Sequence, residues 1–178
     1  FAQCVFAECQ LGGADFSDAV FGKCAFVTVQ AENAVFKGLQ ITSGCFAQAC
    51  VLSGCDFTGA RLPNTGFRGA ALPGACFSRA QLQGADFSEC DLAGADFRQA
   101  DLRQARFVRA NLGHTQLGAA NLMEAVFQHA KLDATDYRNA NLVQSDFARV
   151  HRGSGARFDG ALTTRMRTYP RHRPVAAG

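Results

Sequence analysis

ADFSECDLAGADFRQADLRQARF, residues 85–107, is the stretch whose reading decides the fold. Every fifth residue is a large apolar one: Phe87, Leu92, Phe97, Leu102 and Phe107. Two places before each stands a small residue: Ala85, Cys90, Ala95, Ala100 and Ala105. A period of five is neither the 3.6 of a helix nor the plain alternation of a strand. It is an internal repeat, and a repeat sets architecture before any local preference does.

The large residue is taken as the centre of each unit. From Leu52 the centres recur every five residues to Phe147, and all are Leu, Phe or Tyr. Backward from Phe46 the period reaches Phe1, broken only by Ala31. Between Phe46 and Leu52 the step is six, so one residue is inserted near Cys50–Val51, which a solenoid absorbs as a bulge. Residues 27–45 are the poorest repeats, with Val29, Ala31 and Leu39 off pattern, and are expected to carry a loop or a less regular coil.

In extended chain the small residue and the centre point the same way, inward. The residue between them points out, and it is usually polar: Asp86, Asp91, Asp96, Asp101, Asn111, Asn121, Asn141. The other two residues turn a corner. Pro63 and Pro73 stand first in that pair, and Gly54, Gly59, Gly69, Gly74, Gly84 and Gly94 stand second, where φ > 0 is often needed. With four units per turn, Phe67, Phe87, Phe107, Phe127 and Phe147 form one column. Phe57, Phe77, Phe97, Leu117 and Tyr137 form a second, and two columns of Leu alternate with them. A period of ten alone also admits a two-sided coil.

The units ADFSE, CDLAG, ADFRQ, ADLRQ, ANLGH, ANLME and ANLVQ resemble the A(D/N)LXX motif of the pentapeptide-repeat family. The resemblance runs from Phe1 to about Phe147. It implies an all-β fold, a right-handed quadrilateral β-helix with stacked central side chains, here of roughly 7–8 coils and ~35 Å long. It implies no common biochemical function. The domain reading is residues 1–150 as repeat rod and residues 151–178 as an irregular basic cap or tail.

Composition narrows the remainder. There is no run of twenty apolar residues and no visible signal peptide. The chain does not begin with Met and Phe1 is already in register, so a fragment or processed form with a preceding domain is expected. Cys4, Cys9, Cys24, Cys50, Cys55 and Cys90 fill the small inward slot, while Cys45 and Cys76 precede a centre. Buried reduced thiols and a cytoplasmic protein follow from that placement. Residues 1–150 hold twelve basic and fourteen acidic groups, net −2, and residues 151–178 hold six Arg and one Asp, net +5. The basic tail is read as a solvated or end-capping segment before a nucleic-acid one.

No catalytic, cofactor or metal residues are assigned, and the chain is read as no enzyme. His114, His129, His151 and His172 lie scattered, and Asp86, Asp91, Asp96 and Asp101 fall on four different faces. Asp86 and Arg106, one coil apart, are expected to form an exposed ion pair. The leading reading is a non-catalytic scaffold that binds another protein, with no small-molecule substrate, no membrane and nucleic acid unfavoured. The resemblance brings two alternatives, a DNA mimic that binds DNA gyrase in quinolone resistance and the C-terminal repeat domain of a bacterial adaptor for type VI secretion effectors. It also brings an end-to-end homodimer. DNA mimicry needs a line of negative charge, and Asp15, Asp56, Asp96 and Asp136 supply the one candidate interaction face, interrupted by Val35, Cys76 and Gln116.

Overall fold

Pairing between residues one full turn apart sets the architecture. The computed structural model describes residues 2–47, 49–151 and 153–168. Parallel bridges join Asp91 to Asn111, Asp96 to Gln116, Asp101 to Asn121 and Arg106 to Val126. Four consecutive units therefore pair with the next four, and the two-sided coil is excluded. The chain is an all-β, right-handed quadrilateral β-helix, with no helix among the described residues.

The corners explain the unit length. The N–H of Ala95 donates to the carbonyl of Leu92 at 3.0 Å, and that of Ala75 to Leu72 at 3.1 Å. The third residue of each such turn is left-handed, as at Gly74 (φ 66), Gly94 (φ 68) and Gln99 (φ 61). This is type II geometry, which favours Pro second and Gly third. Leu72-Pro73-Gly74-Ala75 has both in that order.

One corner departs from this at the start of the rod. β1 (Gln3–Ala7), β2 (Val20–Val27) and β3 (Gln40–Ala47) form a three-stranded parallel sheet in that order. Lys23 and Ser43 hold the third turn position without a left-handed φ, so β2 and β3 run through the corner as strand. The expected five-residue alternation of strand and corner fails here. Gly22 and Gly44 permit the close coil contact, since a Cβ would lie 2.7 Å from the Ala2 carbonyl oxygen and 2.6 Å from that of Cys24.

The bore is filled by side chains. Phe67, Phe87, Phe107, Phe127 and Phe147 are vertical neighbours, with centroid spacings from 4.4 to 5.3 Å. The spacing matches the rise between paired strands, ~4.8 Å. Phe57, Phe77 and Phe97 stack likewise at 4.7 Å and meet the first file edge to face. Leu117 interrupts the second file, which resumes with Tyr137 on Phe158 at 4.9 Å. The weak repeats of residues 27–45 keep the stack and include the less regular corner at Ser43. Val29 fills a small slot and Ala31 a centre, both fully buried, so bulk missing at the centre is largely supplied two places earlier.

The pairing step rises from 20 to 21 between Phe26↔Phe46 and Gln30↔Val51. The left-handed residue after Phe46 is Ala49, one place late, and Cys50 is back in the small slot. The extra residue thus lies in the corner ahead of Cys50, near Cys50–Val51 as the spacing implies. A second slip separates Lys131↔His151 from Asp136↔Arg157. The ladder does not stop at Val150: Asn141↔Leu162 and Asp146↔Arg167 continue it. The sequence HRGSG hid this coil because its extra residue moves Phe158, Thr163 and Thr168 out of the earlier register. The expected tail from Tyr169 onward lies outside the described residues, as does His172.

Candidate functional site

Outward positions carry the polar and charged side chains of the rod, so a candidate site is sought there. Asp15, Asp56, Asp96 and Asp136 do share one column, joined through Val35, Cys76 and Gln116 by successive bridges. Their carboxylates are not free charges. Each accepts the backbone N–H two residues on: Ser17 at 2.8 Å, Thr58 at 2.9 Å, Arg98 at 2.9 Å and Arg138 at 3.0 Å. Arg98 Nη2 lies 2.7 Å from Asp96, Arg138 Nη2 lies 2.7 Å from Asp136, and Lys37 Nζ lies 3.2 Å from Asp56. Arg157 adds a second guanidinium to Asp136 at 3.2 Å.

Acidity follows these contacts. The hydrogen bond from Arg138 leads in holding the Asp136 carboxyl down at about 2, against a smaller opposing effect of partial burial. Partial burial works to raise Asp96 and Asp56, but Arg98 in one case and Thr58 with Lys37 in the other outweigh it, so both are lowered. Asp15 is lowered chiefly by Ser17. Three of the column's four carboxylates are thus neutralised by ion pairs, and Asp15 is held by its own corner. The sequence carried the signal in the order Asp-x-Arg, which occurs at Asp96–Arg98, Asp101–Arg103 and Asp136–Arg138, and each of these pairs closes.

The expected Asp86–Arg106 pair does not form among the described residues, although the two are bridge partners. Asp86 turns to its own corner and accepts from the Ser88 N–H at 2.9 Å. Asp91 and Asp101 likewise serve their own corners, through the Ala93 and Arg103 N–H groups.

The cysteines are all free. Cys55 and Cys90 donate to the carbonyls of Ala31 and Phe67, each at 2.9 Å, and Thr115 does the same to Leu92 at 2.8 Å. Burial is the main cause that pushes the Cys55 and Cys90 thiols up to about 12 and Cys24 to about 11. Such thiols are protonated and inert as nucleophiles. Among the described residues no three His, Cys, Asp or Glu gather in a way that could hold a metal ion. A hollow of about 360 Å³ opens at the C-terminal end, lined by Leu132, Phe147, Phe158 and Met166 without an ionisable group. Among the described residues no helix is long and apolar enough to cross a membrane.

Comparison with known proteins agrees with the geometry. A family model described as "Pentapeptide repeats (8 copies)" matches residues 50–88, and one described as "Pentapeptide repeat region" matches residues 80–158. No curated protein matches the chain. Among solved structures, QnrB1, a plasmid-mediated fluoroquinolone resistance protein, aligns with a TM-score of 0.54 at 17% identity, covering 90% of this chain and 83% of that one. HetL, a pentapeptide repeat protein involved in heterocyst differentiation regulation from the cyanobacterium Nostoc sp. strain PCC 7120, aligns at 21% identity with a TM-score of 0.38, covering 94% and 88%. A pentapeptide repeat protein from the Arabidopsis thaliana thylakoid lumen aligns at 33% identity and a TM-score of 0.30, covering 57% and 68%. At 17% identity the QnrB1 alignment speaks for fold alone. The five-residue units, the step of twenty between paired residues and the two family models agree: the chain belongs to the pentapeptide-repeat family.

Proposed function

We propose that the protein is a non-catalytic scaffold that binds another protein through its outer faces. One observation carries this reading. The inward side chains pack to near-zero exposure, so the rod tolerates changes at outward positions without disturbing its core. Lys23 shares one shallow hollow with Cys4, Cys24, Ser43 and Cys45, and no carboxylate or imidazole lines it to complete a catalytic set. Free, protonated thiols support a reducing compartment, and thus a cytoplasmic location.

A DNA mimic of the gyrase-binding kind needs a continuous line of unpaired negative charge, and the Arg and Lys partners of Asp56, Asp96 and Asp136 remove it. The adaptor reading keeps the same binding surface and adds a longer protein around the rod.

The test is affinity capture from an extract of the source cells with the immobilised chain, followed by charge reversal face by face. A specific protein retained in saturable fashion, and lost on reversing one face without loss of the β-helix, supports the scaffold. If nothing is retained specifically, or if retention ignores every face, the reading fails.

A further inference from the structure

Several cations on the rod are matched by an acid among the described residues. Arg68 and Arg109 share Glu89, Arg98 and Arg103 hold Asp96 and Asp101, and Arg138 and Arg167 hold Asp136 and Asp146. Among the described residues Arg61, Arg79 and Arg106 also lack an ion pair, but one corner sets two imidazoles beside its two unpaired cations. His129 and Lys131 flank the buried Ala130 in one coil, and Arg149 and His151 flank Val150 in the next. Lys131 and His151 are bridge partners, and the His129 and His151 ring centroids lie 6.5 Å apart. Four basic side chains thus stand as a two-by-two grid across one corner. Among the described residues neither Lys131 nor Arg149 forms an ion pair, and both are exposed. Arg109 extends the column by one coil and is held only loosely, 3.8 Å from Glu89.

We propose that this corner is the docking site for a short segment of a partner protein rich in Asp and Glu. The inference rests on the scaffold reading and names the chemistry of the partner. Charge complementarity argues for an anionic occupant. The dimensions argue for a short one: three coils span ~10 Å, whereas a duplex is held by roughly 6–10 phosphate contacts. Asp133, Asp146 and Glu89 border the grid and would repel a polyanion running along the rod. The two cations and two imidazoles are spread over two coils on both sides of a corner. They suit successive carboxylates on an extended peptide better than one phosphate group, which needs convergent donors.

Lys131 also differs from the acid-first pairs elsewhere. In Asp-x-Arg the acid precedes the centre, where it accepts the corner N–H and meets the guanidinium. In Lys131-Leu132-Asp133 the order is reversed and no ion pair closes among the described residues. The cation is left available to a partner.

The experiment uses the full chain and a fluorescein-labelled octaglutamate peptide, read by fluorescence anisotropy at several salt concentrations. Binding should weaken as salt rises. The double variant Lys131→Glu with Arg149→Glu should lose about tenfold or more in affinity, since two exposed charges are reversed. The double variant Lys23→Glu with Arg61→Glu changes net charge equally on another face and should lose less than about twofold. Equal losses in both variants overturn the proposal, as does no binding at all. Tighter capture of a duplex DNA of equal charge assigns the corner to nucleic acid, and displacement by inorganic phosphate at matched charge assigns it to a single anion. Either outcome overturns it too. If the captured partner still binds the Lys131/Arg149 variant but is lost on reversing another face, this inference falls and the scaffold stands.

Discussion

Gly94 and Ala119 show what the repeat asks of a single residue. Both are third in a type II turn, with φ 68 and φ 55. A Cβ on Gly94 would meet nothing within 4 Å, so substitution there tests backbone conformation alone. Gly94→Ala is expected to destabilise by about 1 kcal/mol and Ala119→Gly to stabilise by somewhat less, in urea melts. Unchanged melts for both would mean that these corners do not carry left-handed residues. Tyr137 poses a different problem. It sits in a phenylalanine file, fully buried, and its hydroxyl has no partner among the described residues. Burial pushes its phenol well above the ordinary value. Removing that oxygen removes an unsatisfied polar group, so Tyr137→Phe should raise stability by about 1 kcal/mol. A loss of similar size would show that the hydroxyl has a partner.

At the scale of the coil, each turn buries its centre against the turns before and after. Leu102 is fully buried, and truncation to Ala should cost ~2–5 kcal/mol because neighbouring backbones are held by the ladder and collapse little. The measurement is a chemical melt of Leu102→Ala beside the parent chain; a cost below about 1 kcal/mol would be incompatible with a filled bore. Ion pairs also join coils, as Asp136 does with Arg157. Its carboxyl titrates at about 2, below the ordinary ~3.9 of an unfolded chain. The pair's stabilisation is therefore fully present above about pH 4 and is lost as pH falls toward 2. Its size is small, ~0–1 kcal/mol, since the group is near solvent. Asp136→Asn should flatten the stability profile between pH 4 and pH 2 relative to the parent, and an unchanged slope would remove the pair from the account.

For the whole molecule, the question is whether coils open singly or together. Cys24, Cys50, Cys55 and Cys90 are buried, with Cys50 and Cys55 in neighbouring units and Cys24 and Cys90 in coils on either side of them. If the rod opens as one unit, the four thiols become reactive toward an aromatic disulfide reagent over the same urea range as the loss of β signal. Reaction of Cys24 well before Cys90 would instead reveal fraying from the N-terminal end, as a nearest-neighbour solenoid allows.

Periodicity alone determined most of this protein. Leu and Phe every five residues, Ala or Cys two places earlier, and Pro73–Gly74 at a corner leave few ways to bury the apolar side chains. One-dimensional spacing carries that information because each coil contacts only its neighbours. The tertiary structure decided what depends on distance across coils and on volume. It set Val29 in a small slot and Ala31 at a centre, passed β2 and β3 through a corner without a left-handed residue, and carried the ladder past Val150. It also decided the charge of each face. Asp56, Asp96 and Asp136 read as a negative line in the chain, yet Lys37, Arg98 and Arg138 close on them. Two groups neutralise each other only when side-chain reach, not sequence separation, brings them within a few ångströms.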